Sequence, residues 1–245
     1  MHDSLCKLMA TFVLVHGAWL GGWCWRRVAP MLREAGHDVY TPTLTGLGDR
    51  EHLVTPEVGL VTHIQDIANV LFYDDLTDVT LVGHSYGGFV VSGVADEAPE
   101  RLRQLIYLAA VVPSGDGDSL FAQGPAEMRE FVEGKAQAFD GWRWPLPSFA
   151  EIEQNSSMHG LDADDQRWFR ESSVPQPVRT FSDPISLKGG APESLRKTYI
   201  RCTGDYMPAP EITQGDGWRY RELDAGHWPM FSKPRDLAEL LLKLV

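Results

Sequence analysis

The chain has 245 residues, enough for one large domain or two small ones. Its apolar content of 43% suits a globular protein with a full core, and a formal net charge of -12 leaves no basic footprint for a nucleic-acid partner. Cys6, Cys24 and Cys202 lack metal-like spacing, and no apolar run reaches the length of a membrane span, so the expectation is a cytoplasmic protein with no disulfide framework and no membrane partner.

Residues 1–10 carry one lysine and a very short apolar stretch, which makes a poor signal peptide. Met9 would itself start a chain, so 1–8 reads as an extension. Residues 12–15, Phe-Val-Leu-Val, read as a buried strand, and 25–35 as a helix stopped by Gly36. A second strand is expected over 38–41, ended by Pro42, followed by a Gly-rich loop over 43–56. Apolar residues at 64, 67, 70 and 71 predict a helix over 62–73. The run Val79-Thr-Leu-Val82 predicts a strand, Phe89 to Ala98 a helix, and 104–112 a further strand closed by Pro113. Continuous apolar strands separated by helices imply a mainly parallel sheet covered by helices on both faces.

The alternation breaks over 114–190, which is rich in Pro, Gly, acidic residues and scattered aromatics. This is too long for a structureless loop in a compact domain, so it is expected to be an inserted, mostly helical cap. The core then comprises 9–113 and 191–245. Strands are expected over 197–202 and 218–223, and a last helix over 236–244.

Between the third strand and its helix lies Gly83-His-Ser-Tyr-Gly87. Strand, Gly-x-Ser-x-Gly and helix in that order form the context of a nucleophile elbow, a tight turn that holds a serine hydroxyl at the C-terminal edge of a sheet. A hydroxyl needs a base to take its proton. Only His159 and His227 follow Ser85, and His159 falls inside the insertion. His227 follows the last strand, on the same rim as Ser85. The acid that orients the imidazole is expected at Asp205, after the 197–202 strand, with Asp224 as runner-up because it lies close before His227. Backbone N–H donors for a tetrahedral oxyanion are expected at Tyr86 and at Ala18, in His16-Gly-Ala-Trp19. His16 reads as a structural histidine and His84 as packing beside the elbow. Trp19, Trp142, Trp144 and Trp228 are candidate substrate-binding walls, the cap aromatics being equally readable as the cap's own core. No dinucleotide fingerprint, phosphate loop or metal motif is visible, so no cofactor and no metal are expected.

Taken together, 12–18, Gly22-Trp-Cys-Trp25, Gly83-His-Ser-Tyr-Gly-Gly88 and Gly226-His-Trp-Pro229 resemble the α/β-hydrolase superfamily. Within it they resemble the branch of plant methylesterases and hydroxynitrile lyases and its bacterial carboxylesterase relatives, including pyrethroid-hydrolase-like enzymes. Thr41-Pro-Thr-Leu-Thr-Gly-Leu-Gly-Asp-Arg50 is more similar to the bacterial members. The resemblance implies Ser85, Asp205 and His227 as a triad, with Ala18 and Tyr86 as oxyanion donors. Lyases of this branch carry Thr after the first-loop His and Lys after the catalytic His, where this chain has Gly17 and Trp228. A small-molecule ester substrate and a serine carboxylesterase are therefore expected. A ligand receptor on the same fold is the alternative, and a homodimer is left open.

Overall fold

The computed structural model describes residues 9–189, 194–215 and 217–245. The expected extension 1–8, with Cys6, and the boundary expected at 190–191 lie outside the described residues. The first half of the chain alternates as expected: β1 (Thr11–Val15), α1 (Ala29–Glu34), β2 (Asp38–Tyr40), α2 (Leu60–Tyr73), β3 (Val79–His84), α3 (Gly87–Glu97) and β4 (Leu102–Leu108). A long stretch outside the main sheet follows. It holds α4 (Leu120–Gln123), α5 (Ala126–Phe139), β5 (Arg143–Trp144), α6 (Phe149–Ile152), α7 (Ala163–Ser172), β6 (Gln176–Pro177) and α8 (Arg179–Ser182). The chain closes with β7 (Arg196–Cys202), β8 (Trp218–Leu223), α9 (Pro229–Ser232) and α10 (Pro234–Leu242).

Among the described residues the main sheet runs β2-β1-β3-β4-β7-β8, and every neighbouring pair is parallel. Its two faces carry separate apolar clusters, because successive strand side chains alternate. Val13, Val15, Leu81 and Leu105 pack with Ile64, Ile67 and Leu71 of α2 and with α3. Phe12, Leu14, Val82 and Ile106 pack on the other face with Leu32 of α1 and with Leu237 and Leu241 of α10. The chain leaves β1 toward β2 on one side, and β3 lies on the other. The loops after β1 and β3 therefore diverge and open a crevice at the C-terminal edge, where ligands of such sheets bind.

Several boundaries differ from expectation. The helix expected over 25–35 is a 3₁₀ turn, Gly22–Trp25, followed by the short α1, because Pro30 lacks an N–H and is tolerated only at a helix start. β4 stops at Leu108, since Ala109 takes φ +42 and turns the chain away; the apolar residues 109–112 reflect burial instead of strand. The last helix starts at Pro234. The stretch expected to be mostly helical also holds a short antiparallel ladder of β5 and β6. Among the described residues no helix is long and apolar enough to cross a membrane.

Candidate active site

The turn after β3 shows why its sequence needs glycines. A Cβ at Gly83 would lie 2.6 Å from Gly87 O, and one at Gly87 would lie 2.8 Å from His16 O. Both glycines let strand, helix and the β1 loop approach backbone to backbone. Ser85 itself sits at φ +53, in the left-handed region that L side chains rarely adopt. The strained turn is tied to the end of β4: Ser85 N–H donates to Leu108 O and Ser85 O accepts from Val111 N–H, both at 3.2 Å. The hydroxyl thus projects from the rim at the start of α3.

The loops after β7 and β8 bring two more groups to it. Ser85 Oγ lies 2.9 Å from His227 Nε2, and His227 Nδ1 lies 2.7 Å from Asp205 Oδ2. Asp224, the alternative acid, is exposed. Asp205 Oδ1 accepts two backbone N–H groups, from Ser157 at 3.0 Å and Tyr206 at 2.9 Å. Burial pushes the Asp205 carboxyl up, but the hydrogen bond and charge of His227 and these two N–H donors outweigh it, and the net direction is down. The carboxylate is therefore ionised and leaves His227 Nδ1 as the N–H donor, so that Nε2 faces Ser85 with its lone pair. Behind them His84 Nε2 donates to His227 O at 2.8 Å. Burial and the neighbouring His227 hold His84 down at about 3, so it stays neutral.

Among the described residues no hydrogen bond takes up the backbone N–H of Ala18 or of Tyr86. Buried histidines bond the Gly17–Ala18 peptide and the Tyr86 side chain. Leu44 N–H donates to His16 Nε2 at 3.1 Å, so the His16 proton is on Nδ1, which donates to Gly17 O at 2.8 Å. Gly17 O and Ala18 N–H belong to one trans peptide and point in opposite directions, so bonding the oxygen aims the N–H. His63 Nε2 donates to Thr45 O at 2.9 Å, and its Nδ1 accepts from Tyr86 Oη at 2.8 Å. Burial brings both His16 and His63 down to about 4. Thr45 is held in turn by Asp66, through its N–H at 2.6 Å and its Oγ1 at 2.8 Å.

The four tryptophans separate. Trp19 takes φ +63, held by residues of the stretch between β4 and β7: its N–H donates to Gln176 Oε1 and its O accepts from Val174 N–H, both at 3.0 Å. Its ring meets Trp144 edge-on at 4.6 Å, and Trp144 meets Phe181 at 5.4 Å, which in turn stacks on Tyr86 at 5.8 Å. These aromatics form a continuous run from the Trp19 ring to the Tyr86 ring. Trp142 stands apart, its ring against Arg143. Trp228 is 3% exposed and packs between the His227 ring, 4.7 Å away, and Phe169, which makes it support for the imidazole and not an open wall. Among the described residues no group of three or more His, Cys, Asp or Glu converges as a metal set would.

Sequence reasoning missed Ser157, His63 and Gln176. His63 had a visible signal: it occupies the buried stripe Leu60, Ile64, Ile67 and Leu71 of α2, where a histidine needs partners. Ser157 and Gln176 had none.

The parallel sheet, the elbow at Ser85 and the hydrogen-bonded Ser, His and Asp agree with the match of residues 12–240 to the alpha/beta hydrolase family, to which the chain belongs. A carbendazim hydrolyzing esterase of Nocardioides sp. (strain SG-4G) is 41% identical, over 96% of this chain and 100% of that protein. Methyl jasmonate esterase 1 of Vitis vinifera is 26% identical over 96% of each chain. Among solved structures, an extracellular alpha/beta-hydrolase from a Paenibacillus species, described as sharing structural and functional homology with tobacco salicylic acid binding protein 2, superposes with a TM-score of 0.84. It is 28% identical, with 96% of this chain and 98% of that chain covered.

Proposed function

We propose that this protein is a serine carboxylesterase that hydrolyses small, largely apolar or aromatic esters through an acyl-enzyme. The observation that carries the reading is the hydrogen-bond chain from Ser85 Oγ through His227 to Asp205. As Oγ attacks the ester carbonyl, His227 Nε2 takes its proton, and Asp205 stabilises the imidazolium. Ala18 and Tyr86 N–H groups hold the oxyanion. Collapse breaks the bond to the alcohol oxygen, which leaves with the proton from Nε2. Water, deprotonated by His227, attacks the acyl carbon, and the acid departs as Ser85 regains its proton. All of these roles fall to side chains and backbone, so the reaction needs no cofactor.

The aromatic run Trp19, Trp144 and Phe181 supports a preference for apolar or aromatic groups. The stretch 114–190 acts as a cap, since Gln176 and Val174 hold the loop that carries Ala18. Cys24 and Cys202 are free, buried thiols, in keeping with a reducing cytoplasm. The names of the relatives make carbendazim and methyl jasmonate the first substrates to try beyond p-nitrophenyl esters. Lyase chemistry is disfavoured because Trp228 stands where an ammonium would be needed to stabilise departing cyanide. The deciding experiment is turnover of p-nitrophenyl acetate and butyrate by the wild type and by Ser85→Ala. Ser85-dependent release of p-nitrophenol is expected. A variant that kept a tenth of the wild-type rate would overturn the assignment, and no turnover of any short ester alongside tight ligand binding would favour a receptor.

A further inference from the structure

The inserted stretch reaches Asp205 and His227 at a point the mechanism above does not use. After α6 the chain turns and buries Ser157, which is 2% exposed. Its N–H donates to Asp205 Oδ1 at 3.0 Å, and its O accepts from His227 N–H at 2.9 Å. One peptide segment of the insertion therefore bonds both the acid and the base. Its Oγ accepts from His159 N–H at 3.1 Å, which stiffens the turn.

Two sets of contacts hold this segment in place. On the inside, Ile152 and Met158 are buried in the apolar cluster that contains Trp228. On the outside, Glu153 Oε2 accepts from Met158 N–H at 2.9 Å and Oε1 accepts from Tyr206 Oη at 2.8 Å. Tyr206 directly follows Asp205 and gives Asp205 Oδ1 its second N–H, so Glu153 ties the two donors of one carboxylate oxygen together. The fit beneath is close. A Cβ at Gly226 would lie 2.6 Å from Ser157 O and 2.8 Å from His159 O.

We propose that the Ser157 main chain is a clamp that positions Asp205 and His227, and that Glu153 and Tyr206 form its outer latch. The proposal rests on the serine-esterase reading for its effect on rate. Two N–H donors on Oδ1 set the plane of the carboxylate, and that plane points Oδ2 at His227 Nδ1. The His227 main chain is held on both sides, its N–H by Ser157 O and its O by His84. Movement of the insertion is thereby coupled to assembly of the hydrogen-bonded chain, and not only to substrate access. Ser157, Glu153 and Tyr206 are positioning residues; none touches the reacting atoms.

The test uses Gly226→Ala, Glu153→Ala, Glu153→Gln, Tyr206→Phe and the Glu153→Ala/Tyr206→Phe double variant, all in the full chain. Hydrolysis of p-nitrophenyl acetate is measured together with the far-downfield proton resonance of His227 Nδ1–H. Pushing the clamp outward in Gly226→Ala should lower kcat about 100-fold, as misplacement of a catalytic group by about 1 Å does. Tyr206→Phe should lower kcat about 3- to 10-fold, the loss of one net hydrogen bond, and Glu153→Ala, which gives up the bonds to both Tyr206 and Met158, should lower it further, with KM unchanged in both. The double variant should be no worse than Glu153→Ala alone, and Glu153→Gln, which keeps an acceptor for Tyr206, should recover part of the loss. Melting temperature should hold in the latch variants, because both side chains are exposed. The downfield resonance should broaden in parallel with kcat. The clamp is refuted if the latch variants keep wild-type kcat and resonance, or if KM alone rises. Ser85-dependent turnover with unaffected latch variants would sink the clamp and leave the esterase standing. Absence of turnover would sink the esterase, and the resonance in Gly226→Ala would still decide the clamp.

Discussion

Asp205→Asn replaces one carboxylate oxygen by an amide nitrogen, and the surroundings dictate which one. Asp205 Oδ1 accepts from Ser157 N–H at 3.0 Å and from Tyr206 N–H at 2.9 Å, while Oδ2 faces His227 Nδ1 at 2.7 Å. An amide nitrogen cannot accept a hydrogen bond, so the asparagine oxygen must stay on the two N–H donors. The opposite orientation would leave both donors buried without a partner, at about 1–3 kcal/mol each. The NH₂ therefore faces His227 and donates to Nδ1. The imidazole proton is then forced onto Nε2, where it points at Ser85 Oγ, and no lone pair remains to take the serine proton. Wrong-tautomer triads lose on the order of 10⁴ in kcat, about 5.5 kcal/mol of barrier. Because the amide keeps both backbone bonds and the same volume, the melting temperature should change little. Steady-state kcat on p-nitrophenyl butyrate with a thermal melt measures both quantities, and Asp224→Asn, exposed, is the control and should stay within about twofold of wild type. A loss below tenfold in Asp205→Asn would refute the tautomer argument, and a larger loss in Asp224→Asn would move the acid role there.

Ser85 at φ +53 carries strain that only its Cβ causes, so Ser85→Gly and Ser85→Ala should both be inactive, yet the glycine variant should be more stable by about 1 kcal/mol in chemical denaturation. Equal stabilities would show that the elbow is relaxed. Trp144 is 8% exposed and packs on Trp19, Phe131 and Phe181, so Trp144→Ala should destabilise by about 3–5 kcal/mol and slow small and large esters alike. Trp142→Ala should cost less than about 1 kcal/mol, and a melt of the two variants in the reverse order would contradict the packing. Histidine in the unfolded chain titrates near 6.5, whereas burial holds His16 and His63 at about 4 and His84 at about 3. Below pH 6.5 the unfolded chain therefore takes up protons that the native state refuses. Stability should be full above pH 6.5 and fall toward pH 4 by up to about 1.4 kcal/mol per pH unit for each histidine. Melting temperatures from pH 7.5 to 4.5 should show that fall, less steeply in His63→Gln. A flat profile in the wild type would mean that these imidazoles are charged or accessible.

What the amino-acid order determined alone is what neighbours in sequence impose on one another. Val79-Thr-Leu-Val82 followed by Gly83-His-Ser-Tyr-Gly87 specified a strand, a turn with φ above zero and a helix, because only glycine at 83 and 87 clears the backbone that crosses there. The alternation of apolar runs likewise specified a parallel sheet with covered faces and placed Ser85, Asp205 and His227 at strand ends on one rim. The short α1 and the end of β4 were misjudged, since Pro30 and the left-handed Ala109 act against an apolar pattern that continues past them. Sequence spacing already favoured Asp205 over Asp224, which lies too close before His227 to face its ring, and tertiary structure supplied the contact itself, at 2.7 Å. It also turned Trp228 into support behind the imidazole and brought Ser157 onto Asp205 and His227. Those last contacts are made by main-chain N–H and C=O groups, which nearly every residue carries. No side-chain pattern announces them, so they exist only once the stretch carrying Ser157 has folded back onto the rim.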